Sequence, residues 1–312
     1  MALAFSSAPI LIAAGLLAIL LYRILFHPLV SIPGPLYCRL TSLWTYLHAY
    51  LGDEATLITA LHSRYGPVVV VGPNEVCISD GAALAPIYSE KGGFVKAECY
   101  RNFDIEGFAT LFSETAKENR APRAKSVVAL FSTANLRDGE EVLEGCVRTL
   151  VGRMEMGKEQ SSKEGKELNV LNLARSLALD AVTAYLFRKS YNGLAEEKSG
   201  HMSANEFVDA FVGVGRFFYL PNWIFVALEL ASEKLFGTKE QEKSMEKVDC
   251  FVRRVVEEAD AEDGTYPGRM LKAGLTRDEV AAQCKDLMFA GTDSSGMNLS
   301  TLCWNLAKHP EM

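Results

Sequence analysis

A run of small and hydroxyl-bearing residues around one carboxylate is the part of this 312-residue sequence best suited to chemistry. It spans residues 290–296 and reads AGTDSSG. An acid next to an alcohol, here Asp293 and Ser294, can hold and pass on a proton. A glycine narrows a helix at its own position, so a flat cofactor could lie against Gly291. The run therefore predicts a groove that handles a small reactive molecule, with two alternatives to weigh.

The first alternative is a serine nucleophile, and the second is a junction between two helices. The nucleophile motif G-x-S-x-G needs a glycine two residues before the serine and a strand before the turn. Thr292 stands where that glycine would be, and no strand pattern precedes the run, so we set the nucleophile aside. At a junction, Gly291 would end one helix and Asp293 or Ser294 would cap the next. The residues alone leave this second alternative open.

The run lies in the middle of a long helical pattern. Thr276 and Glu279 have the spacing of a capping box, in which the hydroxyl accepts from the third amide and the glutamate reaches back. Apolar residues then recur every three or four positions as far as Leu306, before a lysine, a histidine and Pro310. If it is continuous, this helix has about 30 residues and a length of about 45 Å. We expect such a helix to cross the molecule.

The rest of the body has one strand pair and a series of helical patterns. Two β-branched runs at 68–71 and 75–78, separated by Gly-Pro-Asn, predict a hairpin. Apolar residues at helical spacing predict helices at 170–188 and 245–259. Charged or small polar stretches predict loops at 154–168, 193–205 and 261–268. The fold class is therefore mainly α with a small β-sheet.

The amino terminus predicts a membrane anchor. No charged side chain occurs from Ala2 to Tyr22, and about 20 apolar residues cross a hydrocarbon core of about 30 Å. Arg23 follows and no acid appears before Asp53, which favours a cytosolic body. A cleaved signal peptide would have a basic start and a small-residue cleavage site, and both are missing here. We predict that residues 1–26 are an uncleaved transmembrane anchor.

Three prolines follow the anchor, at 28, 33 and 35. Proline fixes φ and lacks an N–H, so the segment predicts a stiff, non-helical connector. We divide the chain into an anchor at 1–26, a proline-rich hinge at 27–40 and a body at 41–312.

Composition excludes several function classes. The balance of 32 basic and 39 acidic residues gives a net charge of −7, which argues against nucleic acid as a partner. The seven cysteines are scattered singly, and the five histidines show no H-E-x-x-H spacing. The sequence therefore predicts neither a disulfide framework nor an independent metal site.

Several segments together resemble one family, the cytochrome P-450 haem-thiolate monooxygenases, in their fungal membrane-anchored form. AGTDS at 290–294 is similar to the family's long-helix motif [A/G]-G-x-[D/E]-[T/S]. The anchor, IPGP at 32–35, YGPVVVVGPNEV at 65–76 and LAKHPE at 306–311 agree in order and spacing. The resemblance covers the amino-terminal portion of the family only. It implies a truncated cytochrome P-450 fold preceded by one transmembrane helix.

The resemblance assigns roles to residues of the long helix. Ala290 and Gly291 would face the haem and the oxygen pocket, as cofactor-binding residues. Asp293 and Ser294 would be the catalytic pair, relaying protons towards dioxygen through water. Ser294 stands where most members carry threonine and keeps the hydroxyl group.

Other parts of the chain also receive roles from the resemblance. Arg120 and Arg123, with Lys125 nearby, resemble the helix whose arginine pairs with a haem propionate. The alternative is a solvated helix face carrying three cations. The phenylalanine-rich segments 104–112 and 207–219 would contribute to a substrate pocket and its lid, with an ordinary core as the alternative.

The resemblance also implies a whole reaction and its partners. A lipophilic small molecule would be oxidised with dioxygen, using haem and electrons from an NADPH-dependent reductase. The body would face the cytosol at the endoplasmic reticulum membrane, with a single-pass anchor.

One departure from the family affects this expectation. The family's E-x-x-R helix and its haem loop F-x-x-G-x-x-x-C lie beyond Met312, and none of the seven cysteines has the loop spacing. The haem-ligating thiolate is therefore missing, and we expect these residues alone to be inactive. The alternative function is a non-catalytic, membrane-anchored helical protein that binds a lipophilic ligand or a partner through an uncovered helix face.

Overall fold

The structure is a computed structural model that describes residues 2–90, 93–165, 167–196 and 202–311. The chain forms two compact units. The first contains Met1–Val95 and Arg216–Pro221, and the second contains Lys96–Gly215 and Asn222–Met312. Residues 197–201, part of a stretch predicted to be a loop, lie outside the described residues.

The first unit contains the apolar amino-terminal helix and the predicted hairpin. Its elements are α1 (Ala2–Leu25), α2 (Leu36–Leu40), α3 (Leu43–Leu51), α4 (Glu54–Tyr65), β1 (Val68–Gly72), β2 (Glu75–Ile78), a 3₁₀ turn (Gly81–Ala83) and α5 (Leu84–Tyr88). The strands are antiparallel, with Val69 opposite Cys77 and Val70 opposite Val76. Val69 and Val71 pack with Leu61 of α4 into a small core, so the hairpin is held by α4.

The segment between α1 and the hairpin follows its prolines. Residues 26–35 are non-helical, and α2 then begins at Leu36, inside the predicted 27–40 hinge. The carbonyl oxygen of Pro33 accepts a hydrogen bond from the Val70 N–H at 2.9 Å. A Cβ on Gly34 would lie 2.9 Å from the carbonyl oxygen of Val70. Glycine therefore permits the close contact that ties the connector to β1.

Among the described residues, one helix is long and apolar enough to cross a membrane. Its window Ala8–Leu25 has a mean hydropathy of 2.2, and none of it is buried. A signal sequence would pass the same test of length and composition. The helix is compatible with the predicted anchor.

Within its described residues, the second unit consists of helices and 3₁₀ turns, with one isolated β-bridge between Ile105 and Phe108. Its elements are a 3₁₀ segment (Glu98–Phe103), α6 (Lys117–Val127), a 3₁₀ turn (Val128–Phe131), α7 (Thr133–Asp138), α8 (Glu140–Glu164), α9 (Val170–Leu186), a 3₁₀ turn (Gly193–Ala195), α10 (Ser203–Gly215), α11 (Asn222–Phe236), α12 (Lys239–Glu258), α13 (Tyr266–Lys272) and α14 (Arg277–Lys308). Its main core joins α9, α10, α12 and α14, with Leu179, Phe207, Val252 and Met288 fully buried. The predicted fold class, mainly α with a small sheet, is confirmed.

The predicted long helix is continuous. α14 runs unbroken for 32 residues and starts with the capping box of Thr276 and Glu279. The junction of two helices at Gly291 is therefore excluded. Hydroxyl groups inside the helix donate to carbonyl oxygens one turn back, from Thr292 to Met288 at 2.6 Å and from Ser300 to Gly296 at 2.8 Å. These bonds occupy side chains that otherwise compete with the helical backbone.

The loop predicted at 154–168 is wrong over most of its length, because α8 continues to Glu164. The residues concerned are mostly methionine, glutamate, lysine and glutamine, all of which favour a helix when exposed. Lys163 and Glu159 add an ion pair one turn apart at 3.9 Å. An exposed helix needs no apolar stripe, so the polar composition of this segment did not rule out a helix there.

Candidate functional site

Ala290 and Ser294 lie one turn apart on an exposed face of α14. Residues four positions apart in a helix share a face, so these two short side chains form one shallow strip. We call it the small-residue face. The Oγ of Ser294 lies 3.4 Å from the carbonyl oxygen of Ala290 and donates to it. Both side chains are short and exposed, so a planar group could approach α14 here.

Gly291 is turned towards α9. A Cβ on Gly291 would lie 2.6 Å from Cγ2 of Val182. The glycine therefore lets α9 and α14 approach each other, and it does not belong to the small-residue face. Its predicted place beside a haem stays a prediction.

Asp293 is paired with an arginine from α9. Its Oδ1 accepts from Nη2 of Arg175 at 2.8 Å, and the aspartate side chain is 30% exposed. Arg175 itself is buried, at 7% exposure. A charge-assisted bond of this length fixes the carboxylate in position. Asp293 is thus oriented by α9, while the neighbouring Ser294 faces outward.

The two arginines predicted to meet a propionate differ in their surroundings. Arg123 of α6 donates from Nη1 to the carbonyl oxygen of Ala109 at 3.0 Å and from Nη2 to Oε1 of Glu279 at 3.3 Å. Its Nη1 also lies 3.8 Å from Oε2 of Glu114. Two carboxylates already balance this charge, so Arg123 connects α6 to the first turn of α14.

Arg120 is exposed and has a cationic neighbour, Lys96. The Nε of Arg120 donates to the carbonyl oxygen of Leu111 at 3.0 Å, and Nζ of Lys96 donates to the same oxygen at 3.2 Å. Burial, and then the charge of Arg120, lowers the pKa of Lys96, whereas the charges of Asp286 and Glu114 raise it. Two cations that share one carbonyl repel each other, and a further anion bound between them would relieve that repulsion. We call Lys96 and Arg120 the cation pair.

Asp286 links the cation pair to the small-residue face. It lies one turn before Ala290 on α14. Burial raises the pKa of its carboxyl group. Hydrogen bonds from the Thr110 hydroxyl and the Phe112 N–H, and the charge of Lys96, lower that pKa but by less. One turn of helix corresponds to a rise of about 5 Å. The loop at 110–112 therefore joins the cation pair to Asp286, one turn before Ala290.

These residues fit the edge and one face of a haem. A porphyrin is planar and carries two carboxylates on one edge; the small-residue face offers a surface for the plane, and the cation pair offers two counter-charges. Of the two described cysteines on α14, Cys284 is unsuited to ligate its iron. Cys284 is fully buried in the core, and burial raises the pKa of its thiol. The described residues contain no group of three or more histidine, cysteine or acidic side chains that could hold a metal.

Two residues of this site were missed by sequence reasoning. Lys96 gave no signal, since it is a single cation in a loop far along the chain from Arg120. Arg175 did give one, because it stands in a mainly apolar helix, and a buried charge requires a partner. That signal indicates that acids must face α9, but it does not identify them as Asp209 and Asp293.

Comparison with known proteins gives consistent results. The family model described as Cytochrome P450 matches residues 33–312. The chain is similar to Cytochrome P450 monooxygenase mfmF of Annulohypoxylon moriforme, with 35% identity over 98% of this chain and 65% of that protein. It is also similar to Tryprostatin B 6-hydroxylase of Aspergillus fumigatus, with 27% identity over 95% of this chain and 52% of that protein. The chain thus spans between half and two thirds of the length of these relatives.

Proposed function

Because this chain belongs to the cytochrome P450 family, we propose that it serves in a haem-dependent monooxygenase that oxidises a lipophilic small molecule of secondary metabolism, and that residues 1–312, whose cysteines lack the haem-loop spacing, are inactive by themselves. The observation that carries this proposal is the small-residue face of α14, with Asp293 held beside it and the cation pair bound to the 110–112 loop next to Asp286, one turn before Ala290. Tryprostatin B 6-hydroxylase, one of the relatives, is named for a hydroxylation.

The residues divide the work by position. Ala290 and Ser294 would contact the planar face of the haem, and Lys96 and Arg120 would bind its two carboxylates. Bound haem supplies the activation of dioxygen. Asp293, anchored by Arg175 and 30% exposed, would exchange protons with water, and the Ser294 hydroxyl would pass a proton across the small-residue face.

We further propose the surroundings in which this enzyme acts. Residues 1–26 would anchor it in the endoplasmic reticulum membrane with the body facing the cytosol, and residues 27–40 would be the hinge before a body at 41–312. The apolar window Ala8–Leu25 and the charges that follow it support this arrangement. Electrons would come from an NADPH-dependent reductase.

Gene disruption tests the proposed function. In the organism that encodes the chain, disruption is expected to cause a lipophilic metabolite to accumulate that is one oxygen atom lighter than the product it replaces. Returning the unaltered gene should restore the product. Returning Ser294→Ala should restore about a tenth of it. A positioned proton donor increases the rate about 10²-fold or more, and water in place of the hydroxyl group should recover part of that increase.

The matched control is Ser295→Ala, which removes another exposed hydroxyl group next to the small-residue face. It should restore the product fully. An unchanged metabolite profile after disruption would reject the monooxygenase and favour a non-catalytic binding protein. Equal loss in both serine variants would reject the assigned role of Ser294.

A spectrum of the 312-residue chain tests the thiolate. Membranes containing only these residues, reduced and treated with carbon monoxide, are expected to lack the thiolate–haem absorption band. The reason is that none of the seven cysteines has the F-x-x-G-x-x-x-C spacing and Cys284 is fully buried. A clear band would show that one of these cysteines ligates haem, and single Cys→Ser variants would then identify it.

A further inference from the structure

Arg175 joins three helices of the second unit through one buried guanidinium group. Its Nη1 donates to Oδ1 of Asp209 on α10 at 2.9 Å, and its Nη2 donates to Oδ1 of Asp293 on α14 at 2.8 Å. The Nε of Arg175 is buried and has no hydrogen-bond partner among the described residues. One cation on α9 therefore serves two acids on different helices, each through a single oxygen atom.

The stem of Arg175 is fixed by the contact between α9 and α14. A Cβ on Gly296 would lie 2.6 Å from Cγ of Arg175 and 3.1 Å from its Cα and N. The helices touch here without an intervening side chain. The stem of Arg175 is therefore held against α14, and its guanidinium group reaches both acids at once.

The two acids are unequally exposed. The side chain of Asp209 is 58% exposed, and that of Asp293 is 30% exposed. Water can replace Arg175 at Asp209 more easily than at Asp293. An arginine that loses one carboxylate can give two parallel N–H groups to the other.

We propose that Asp209 and Asp293 compete for Arg175. Arg175 is then a positioning residue, because the position of α10, which carries Asp209, determines how firmly Arg175 holds the Asp293 carboxylate. When α10 lies close, Asp209 takes one arm of the guanidinium group and Asp293 keeps the other. When α10 moves away, Asp293 gains both arms. The consequence for proton delivery rests on the proposed function, whereas the competition itself needs only these three residues.

Hydrogen exchange on the 312-residue chain in detergent micelles tests the competition without haem or substrate. Asp293→Asn is expected to slow exchange of the α10 amides around Asp209 about three-fold, because Asp209 then receives the whole guanidinium group. Linkage is reciprocal, so Asp209→Asn should slow exchange of the α14 amides around Asp293 to a similar extent. Exchange in α12 serves as the measure of overall stability in each variant.

A spectroscopic readout accompanies the exchange data. The ¹³C carboxyl resonance of Asp293, identified by its loss in Asp293→Asn, should shift in Asp209→Asn. The chemical shift of that resonance should be unchanged in Asp278→Asn, which alters an exposed acid in the first turn of the same helix. Arg175→Lys should abolish the shift, because one ammonium group cannot serve both acids in the same way.

The signs decide the outcome. In Asp293→Asn, exchange in α10 could become faster by the same factor as exchange in α12. That result would mean that Arg175 only holds the helices together, and it would overturn the proposal. Unchanged exchange in both aspartate variants would overturn it as well. Either result leaves the proposed monooxygenase function standing, and a negative gene disruption would leave the competition standing.

Discussion

Gly296→Ala is expected to destabilise the second unit by about 2 kcal/mol, although alanine is the better helix former. The added Cβ would lie 2.6 Å from Cγ of Arg175 and 3.1 Å from its backbone. Arg175 cannot yield, because Asp209 and Asp293 hold its guanidinium group. The helices α9 and α14 must therefore separate, at the cost typical of an overpacked core. Thermal unfolding followed by circular dichroism should show a midpoint lower by about 5 °C.

Gly145→Ala is the matched control for this change. Gly145 lies in the interior of α8, and nothing lies within 4 Å of a Cβ placed there. Alanine at this position should stabilise by about 0.5–1 kcal/mol through helix propensity alone. Opposite signs at the two glycines would establish the close contact at Gly296. Stabilisation by both variants would mean that α9 and α14 do not touch there.

Phe207→Ala is expected to destabilise by about 4 kcal/mol, the cost of deleting a large buried ring and leaving a cavity. Phe207 is fully buried in the core of the second unit. Its ring centroid lies 5.8 Å from that of Phe211 and 6.4 Å from that of Phe289. Chemical denaturation should show the midpoint falling without a change of slope, provided that the unfolded state is unaltered.

Trp223→Ala provides the comparison for Phe207. Trp223 is the second residue of α11 and is 75% exposed, so its removal should change stability by no more than about 0.5 kcal/mol. The family resemblance places the segment 207–219 at a substrate pocket and its lid, where a ring facing open space would be removed at little cost. A loss at Phe207 as small as that at Trp223 would favour the pocket over the core.

The site combines a rigid part with an adjustable part. The small-residue face belongs to an unbroken helix, and the cation pair is fixed by the carbonyl oxygen of Leu111. The acid beside the face is different, because its position depends on an arginine shared with another helix. A proton-transfer group needs accurate placement to be effective. The shared arginine gives the chain a way to vary that placement.

Local patterns in the sequence determined the hairpin and several of the helices. The spacing of β-branched runs and turn residues predicted the hairpin that forms at Val68–Gly72 and Glu75–Ile78. The capping box at Thr276 and the apolar period predicted α14, and the order of short motifs indicated the family. These features depend on residues close together in the chain, so the sequence contains them directly. The exposed end of α8 had no apolar period and was missed.

Only the tertiary structure decided what each side chain of the motif faces. Helical periodicity fixes the angles between residues 290 and 294, but it does not say which side meets a neighbour. Packing against α9 turned Gly291 towards Val182 and Asp293 towards Arg175, and left Ala290 and Ser294 exposed. Contacts across long stretches of chain also separated Arg123, bound by Glu279, from Arg120, paired with Lys96. Such pairings depend on how whole helices pack, which no local spacing encodes.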